Sequence, residues 1–300
     1  MVSTFENLYA IIRADYPAFA GAWQSARATN GQSWEAEFSE RVGKLFGTTP
    51  NDAWKEAVGG YAEFCTDALR AQIYFERFGT YPASSYLDVT EACYLDSDYM
   101  NRRYLPGQYL SHYIWPHHYR MMRRFIGHVL ETIKDSLQSF CEVGVGCGMY
   151  SLQTLLRHGE CQGMGFDISP YSTAFTQRVI DAHSLSDRYQ VHTRDAFAES
   201  PTALADLVIS QEVLEHLPDP AKFVKELKRL VRPKGWGYIT AAINAAHTDH
   251  IYLYRHPDEV AQQLTDAGWE ILDRQVESNY PEKKPDVRPT IAGFLVRSSD

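Results

Sequence analysis

Apolar residues in the first 135 positions recur at helical spacing. Phe5, Leu8, Tyr9, Ile11 and Ile12 make one such face, and Trp34, Phe38, Val42 and Phe46, four residues apart, make another. Pro50-Asn51-Asp52 reads as the start of a helix running through Phe75 and Phe78, closed by Gly79. Pro116 suits the first turn of a helix reaching about Ile133, because proline lacks an N–H that would be unpaired there anyway. From about residue 138 the texture changes. Short apolar runs near 138–143, 162–166, 189–193, 205–210, 235–241, 270–278 and 291–297 read as strands, with helices predicted near 148–158, 171–183, 220–232 and 256–267. Such alternation implies a mostly parallel sheet covered by helices on both faces. The last two strands are joined by 279–289 without a helix, so they pair antiparallel. The expected organisation is a helical domain over 1–135 and an α/β domain over 136–300.

Composition narrows the class. With 300 residues, 44% hydrophobic and 22% charged, the chain has the profile of a soluble globular protein of one large or two ordinary domains. No apolar run is long enough to span a bilayer, and Met-Val-Ser-Thr-Phe-Glu-Asn lacks the basic and apolar regions of a signal peptide, so no membrane role and a cytoplasmic location are expected. A net charge of −9 gives no footprint for phosphate backbones, which argues against nucleic acid as a partner. The five cysteines are scattered, without the C-x-x-C pairs of a zinc site, so no metal is expected.

The chemistry concentrates after the first strand of the α/β part. Gly144, Gly146 and Gly148 follow Glu142 and precede an amphipathic helix, a strand–turn–helix that lets backbone N–H groups approach a nucleotide-like ligand closely. A dinucleotide fingerprint would need glycine at 149, where Met149 stands. Further motifs follow in order: Gly165-Phe-Asp-Ile168, Arg194-Asp-Ala-Phe197, the stretch from Asp206 through Gln211 and His216 to Pro220, and Leu227 to Gly235. Together they resemble class I S-adenosylmethionine-dependent methyltransferases, and are similar to the small-molecule enzymes of ubiquinone and menaquinone biosynthesis. The resemblance covers roughly 138–297 and implies a Rossmann-like seven-stranded sheet with its last strand antiparallel.

It also implies roles for particular residues. Glu142, Gly144 and Gly146 would lie against the methionine end of S-adenosylmethionine, the alternative for Glu142 being a cap for turn N–H groups. Asp167 would accept the ribose hydroxyls. Asp195 and the Ala196 N–H would meet the adenine, Ile168 and Phe197 would flank it, and Gln211 would stand near the methyl group. The product would be S-adenosylhomocysteine, and the acceptor a small molecule presenting O, N or C in metabolite or natural-product biosynthesis.

General-base candidates are His250 and His247, in the loop after the fifth strand, followed by His117. Tyr104, Tyr109, His112, His118 and Asn244 are the expected acceptor-binding residues, and the aromatic-rich helical domain could pair with a second copy of itself. Two other readings stay open: an NAD(P)-dependent oxidoreductase, for which Asp167 would also suit the ribose, and a non-catalytic module that keeps the fold.

Overall fold

The structure is a computed structural model that describes residues 3–49, 51–198, 205–278, 280 and 283–299. Three long helices open the chain. In α1 (Thr4–Asp15) the Ser3 hydroxyl accepts the Glu6 N–H, and Phe5, Leu8 and Ile12 face inward. The second, α2 (Pro17–Phe46), contains the predicted Trp34–Phe46 face but begins earlier and breaks at Gly31, whose φ of 76° is left-handed. Asn51 caps α3 (Asp52–Phe78) by accepting the Trp54 N–H, and Gly79 at φ 74° closes it. Pro50, also expected at this helix start, lies outside the described residues.

A short α4 (Tyr86–Val89) leads to α5 (Leu105–Ile114) and α6 (Pro116–Arg124). The single helix expected from Pro116 widens over Phe125–Val129 before α7 (Leu130–Ile133). Placement of α5 depends on one glycine. A Cβ on Gly107 would stand 2.3 Å from the Phe64 Cβ of α3. Gly107→Ala is therefore expected to cost about 1–3 kcal/mol through overpacking, read by denaturant unfolding.

The remaining elements follow the predicted alternation: β1 (Ser139–Val143), α8 (Met149–Arg157), β2 (Gln162–Asp167), α9 (Pro170–Ala182), β3 (Tyr189–Thr193), β4 (Ala205–Ser210), α10 (Pro220–Lys228), β5 (Val231–Ile243), α11 (Pro257–Asp266), β6 (Trp269–Ser278) and β7 (Thr290–Ser298). They build one sheet in the order β3-β2-β1-β4-β5-β7-β6. The neighbours of β7 both run antiparallel to it, and the other pairs are parallel. Strand β6 begins right after α11 and runs parallel to β5, one place beyond β7.

The chain leaves β1 towards β3 and returns on the other side at β4, so the crevice between the ends of β1 and β4 is the switch point where such sheets bind ligands. Every residue of β4 is buried. Its alternate side chains feed two apolar clusters: Leu207 and Ile209 join one that reaches into α1, α2 and α3, and Val208 joins another with Val224 and Val260. The helical region and one face of the sheet therefore share a core. Among the described residues no helix is long and apolar enough to cross a membrane.

Candidate active site

The turn after β1 uses left-handed backbone at all three glycines, with φ of 79°, 49° and 73° at Gly144, Gly146 and Gly148. At Gly144 a Cβ would meet the Val213 side chain at 2.5 Å. Asp167, at the end of β2, holds the turn open: its Oδ2 accepts the Gly146 N–H at 3.1 Å and its Oδ1 accepts the Ser169 N–H at 2.9 Å. Each oxygen keeps a second lone pair. Burial raises the pKa of this carboxyl against the backbone N–H groups of Ser169, Gly146 and Ile168. Gln108, reaching over from α5, accepts the Cys147 N–H at 2.9 Å.

A cleft of about 240 Å³ opens beside this turn. Gly144, Gly146, Asp167, Ile168, Asp195, Ala196, Phe197 and Gln211 all line it, so eight of the nine residues expected to touch a cofactor converge. Asp195 closes its own turn by accepting the Phe197 N–H at 2.9 Å.

Glu142 is the exception. It follows Phe140 by two residues, so the pleat of β1 turns it to the same side, towards α8, where its carboxylate accepts the Ser151 N–H at 2.9 Å and the Ser151 hydroxyl. The structure thus gives it the capping alternative and keeps it off the cleft wall. Burial pushes its pKa up to about 8. An acid raised this way loses its stabilising balance as pH climbs: unfolded chains ionise near 4.5, folded ones stay protonated until about 8, and stability falls across that window. Glu142→Gln removes the dependence. Relative to the wild type, the variant is expected to gain about 1 kcal/mol per pH unit between pH 5 and 7 in denaturant unfolding.

A second cavity, of about 320 Å³, lies between α3, α5 and α6 above and the ends of β4 and β5 below. Its lining includes Tyr104, His112, His117, His118, His247 and His250. The expected residues Tyr109 and Asn244 are not in it. Tyr109 is fully buried and packs its ring against Phe46, Tyr113 and Phe175 instead. Asn244 has a left-handed φ of 51° and donates its amide to the Arg255 carbonyl at 3.0 Å, which locks the loop.

The histidines differ in what they can do. His250 Nδ1 donates to the Ala245 carbonyl at 2.7 Å, and burial with His216 nearby lowers its pKa to about 3. Burial likewise lowers His112 to about 3. His117 stacks on Trp115 with ring centroids 5.5 Å apart. His247 is hydrogen-bonded through Nδ1 to Asp249 Oδ1 at 2.9 Å, and its buried Nε2 has no hydrogen-bond partner among the described residues.

Asp249 is wholly buried, which opposes its ionisation, yet His216 and His247 hold it well below the usual carboxylate range. His216 answers in the other direction: burial lowers its pKa, but Asp249 and Glu215 outweigh burial and raise it. Glu215, His216 and His250 bring ligand-type atoms within 4.8 Å of one another, a convergence that cysteine spacing could not announce.

Tyr104, Gln108, Gln211, Glu212 and His216 line both cavities. These five residues form a wall common to the two spaces. Gln108 and Glu212 were not singled out by sequence reasoning. Gln108 stands four residues after Tyr104 and four before His112, so helical spacing alone puts the three on one face.

Known proteins bear on this geometry over part of the chain. Residues 141–239 match the family described as a methyltransferase domain. A ubiquinone biosynthesis O-methyltransferase of Burkholderia pseudomallei is 27% identical over 165 residues, 47% of this chain and 69% of that one. The enzyme of the same name from Paracidovorax citrulli is 32% identical over 105 residues, 35% of this chain and 44% of its own. A chloroplastic tocopherol O-methyltransferase of Arabidopsis thaliana is 34% identical over 114 residues, 37% of this chain and 32% of its own. The chain spans about half the length of the first curated relatives it matches. Among solved structures, the N-methyltransferase NodS of Bradyrhizobium japonicum in complex with S-adenosylhomocysteine aligns at a TM-score of 0.48 and 15% identity, over 73% of this chain and all of that one. The segment 141–239 is a methyltransferase domain.

Proposed function

We propose that this protein transfers the methyl group of S-adenosylmethionine to a hydroxyl of a small molecule held in the larger cavity. The observation that carries the reading is the wall common to the two cavities, which lets a donor in one face an acceptor in the other. The turn fits the donor's size and chemistry: its glycines leave no Cβ in the cleft, and Asp167 keeps lone pairs free for ribose hydroxyls. Asp195 and the Ala196 N–H would hold the adenine, with Ile168 and Phe197 flanking it. When bound, the cofactor supplies an electrophilic methyl on a sulfonium. The protein's share is to hold an acceptor oxygen in line with it, which can contribute roughly 7–11 kcal/mol.

A hydroxyl needs to lose its proton as it attacks, whereas a neutral amine does not. The pairing of buried Asp249 with His247 favours the hydroxyl, because it fixes the histidine with Nδ1 protonated and Nε2 open as a base. Residues 1–135 then supply the helical cover over the acceptor and 136–300 the glycine turn for the cofactor, with Tyr104 and Gln108 reaching both spaces and His247 serving the acceptor. Isothermal titration with S-adenosylmethionine and with NAD separates the readings: micromolar binding of the first alone is expected, and binding of NAD alone would replace this function with an oxidoreductase. A protein that binds S-adenosylmethionine yet forms no S-adenosylhomocysteine with any of a panel of phenols, alcohols and amines would instead be a binding module.

A further inference from the structure

Of the side chains on the shared wall, Glu212 is the carboxyl, and its backbone is held at unusual geometry. Its φ is 48°, in the left-handed region that non-glycine residues avoid and that persists only where the surroundings enforce it. Here they do. The Glu212 N–H donates to Thr240 Oγ1 of β5 at 2.9 Å, and the Gln211 amide donates to Glu212 Oε1 at 2.6 Å. The other oxygen, Oε2, lies 3.9 Å from His118 Nε2.

The state of that histidine follows from its network. Ser111 directs its hydroxyl hydrogen to the Gln108 carbonyl at 2.8 Å, so Ser111 Oγ accepts from His118 Nδ1 at 2.9 Å. Nε2 is left as a lone pair. Burial, with His117, His112 and His247 nearby, keeps the ring well below its ordinary pKa and uncharged. It therefore offers Glu212 no positive charge, and a lone pair facing a carboxyl favours the protonated acid. Burial and the neighbouring Glu215 push Glu212 up to about 8, against the Gln211 hydrogen bond and His216. Tyr150 of α8 and Tyr238 of β5 are the further titratable groups that feel it.

We propose, resting on the methyl transfer above, that Glu212 distinguishes the cationic donor from its neutral product, standing as a carboxylate beside the sulfonium and as a protonated acid beside the thioether. A positive charge within about 4–6 Å favours the ionised form of a carboxyl, and its removal restores the neutral one. During transfer the O–C bond forms and the C–S bond breaks with its electron pair left on sulfur. The hydroxyl proton goes to His247 Nε2 and passes from it to Glu212, directly or through solvent, which leaves His247 neutral again. The site starts with one positive and one negative charge and ends with neither. No other reagent is required, and the neutral product no longer has a charged partner holding it.

Calorimetric titration at pH 7 in two buffers of different ionisation enthalpy reads the proton count directly. Binding of S-adenosylmethionine is expected to release close to one proton more than binding of S-adenosylhomocysteine, whose amino-acid end is the same. Affinity for the donor should rise towards tenfold per pH unit below about pH 8, while affinity for the product stays flatter. Glu212→Gln, which keeps the backbone N–H contact to Thr240, should abolish the difference in proton release and the steeper slope. Equal proton release for the two ligands in the wild type overturns the proposal, as does a difference that survives in Glu212→Gln. Failure of S-adenosylmethionine to bind at all overturns the function beneath it as well, so the two failures are distinguishable.

Discussion

Asp167→Ala is expected to lower affinity for S-adenosylmethionine by at least about 100-fold. The carboxylate plays two parts at once. It fixes the turn through the Gly146 and Ser169 N–H groups, and its remaining lone pairs are those the ribose hydroxyls would use. A hydrogen bond to a charged group contributes about 1.5–3 kcal/mol, so two lost to ligand alone amount to roughly 3–6 kcal/mol, before any slackening of the turn. Asp167→Asn keeps one acceptor oxygen and should fall between the two. Because burial disfavours the ionised Asp167, the alanine variant is expected to lose binding far more than folding stability. Isothermal titration beside a denaturant curve checks both halves. An alanine variant that binds the cofactor within threefold of the wild type would remove Asp167 from the ribose site.

Most of the sheet was legible because its signals are local. The β4 run Ala205-Asp-Leu-Val-Ile-Ser210 is nearly continuous in apolar residues because both of its faces are covered, and a link between β6 and β7 too short in apolar periodicity for a crossover helix announced their antiparallel pairing. The glycine turn was legible for the same reason: three alternate residues without Cβ at a strand end mark a backbone that must turn left-handed there. What escaped was set by tertiary contact. Glu142 sits in the expected motif, but strand alternation sends its carboxylate to Ser151 rather than to the cleft.

Helical angle decided the fate of the aromatic stretch. Tyr104, Gln108 and His112 repeat every four residues and reach the cavities, whereas Tyr109 stands about 100° round the helix from Gln108 and packs into the core. Counting aromatics brought Tyr109 forward; tracing one face would have brought forward Gln108 instead. Glu212 left no trace in periodicity because its left-handed backbone is imposed by Thr240 and the end of β4, not by a glycine that could be read. Asp249, two residues from His247 and wholly buried, likewise gains its meaning only when the loop folds back on itself.

That buried pair carries the second large effect. With a hydroxyl acceptor, His247→Ala is expected to reduce kcat by about 10²–10⁴-fold, the usual contribution of a positioned base, while affinity for S-adenosylmethionine changes little. Asp249→Asn is the sharper probe. An amide oxygen in place of Oδ1 would still accept from His247 Nδ1, but the negative charge that stabilises the imidazolium formed in transfer would be gone, and His216 would lose one of the carboxylates that raise its pKa.

The variant should therefore lose turnover with a hydroxyl acceptor. An amine acceptor presented to the same variants discriminates further, because a neutral amine supplies its own lone pair and sheds its proton after the methyl has moved. Turnover of amines should then survive His247→Ala within about tenfold. Formation of S-adenosylhomocysteine at saturating cofactor, measured for matched phenol and amine acceptors across pH, reads both expectations in one experiment. If His247→Ala left phenol methylation untouched, the proton would have to leave by another of the cavity's histidines, and the hydroxyl reading would lose the pairing of His247 with Asp249 that supports it.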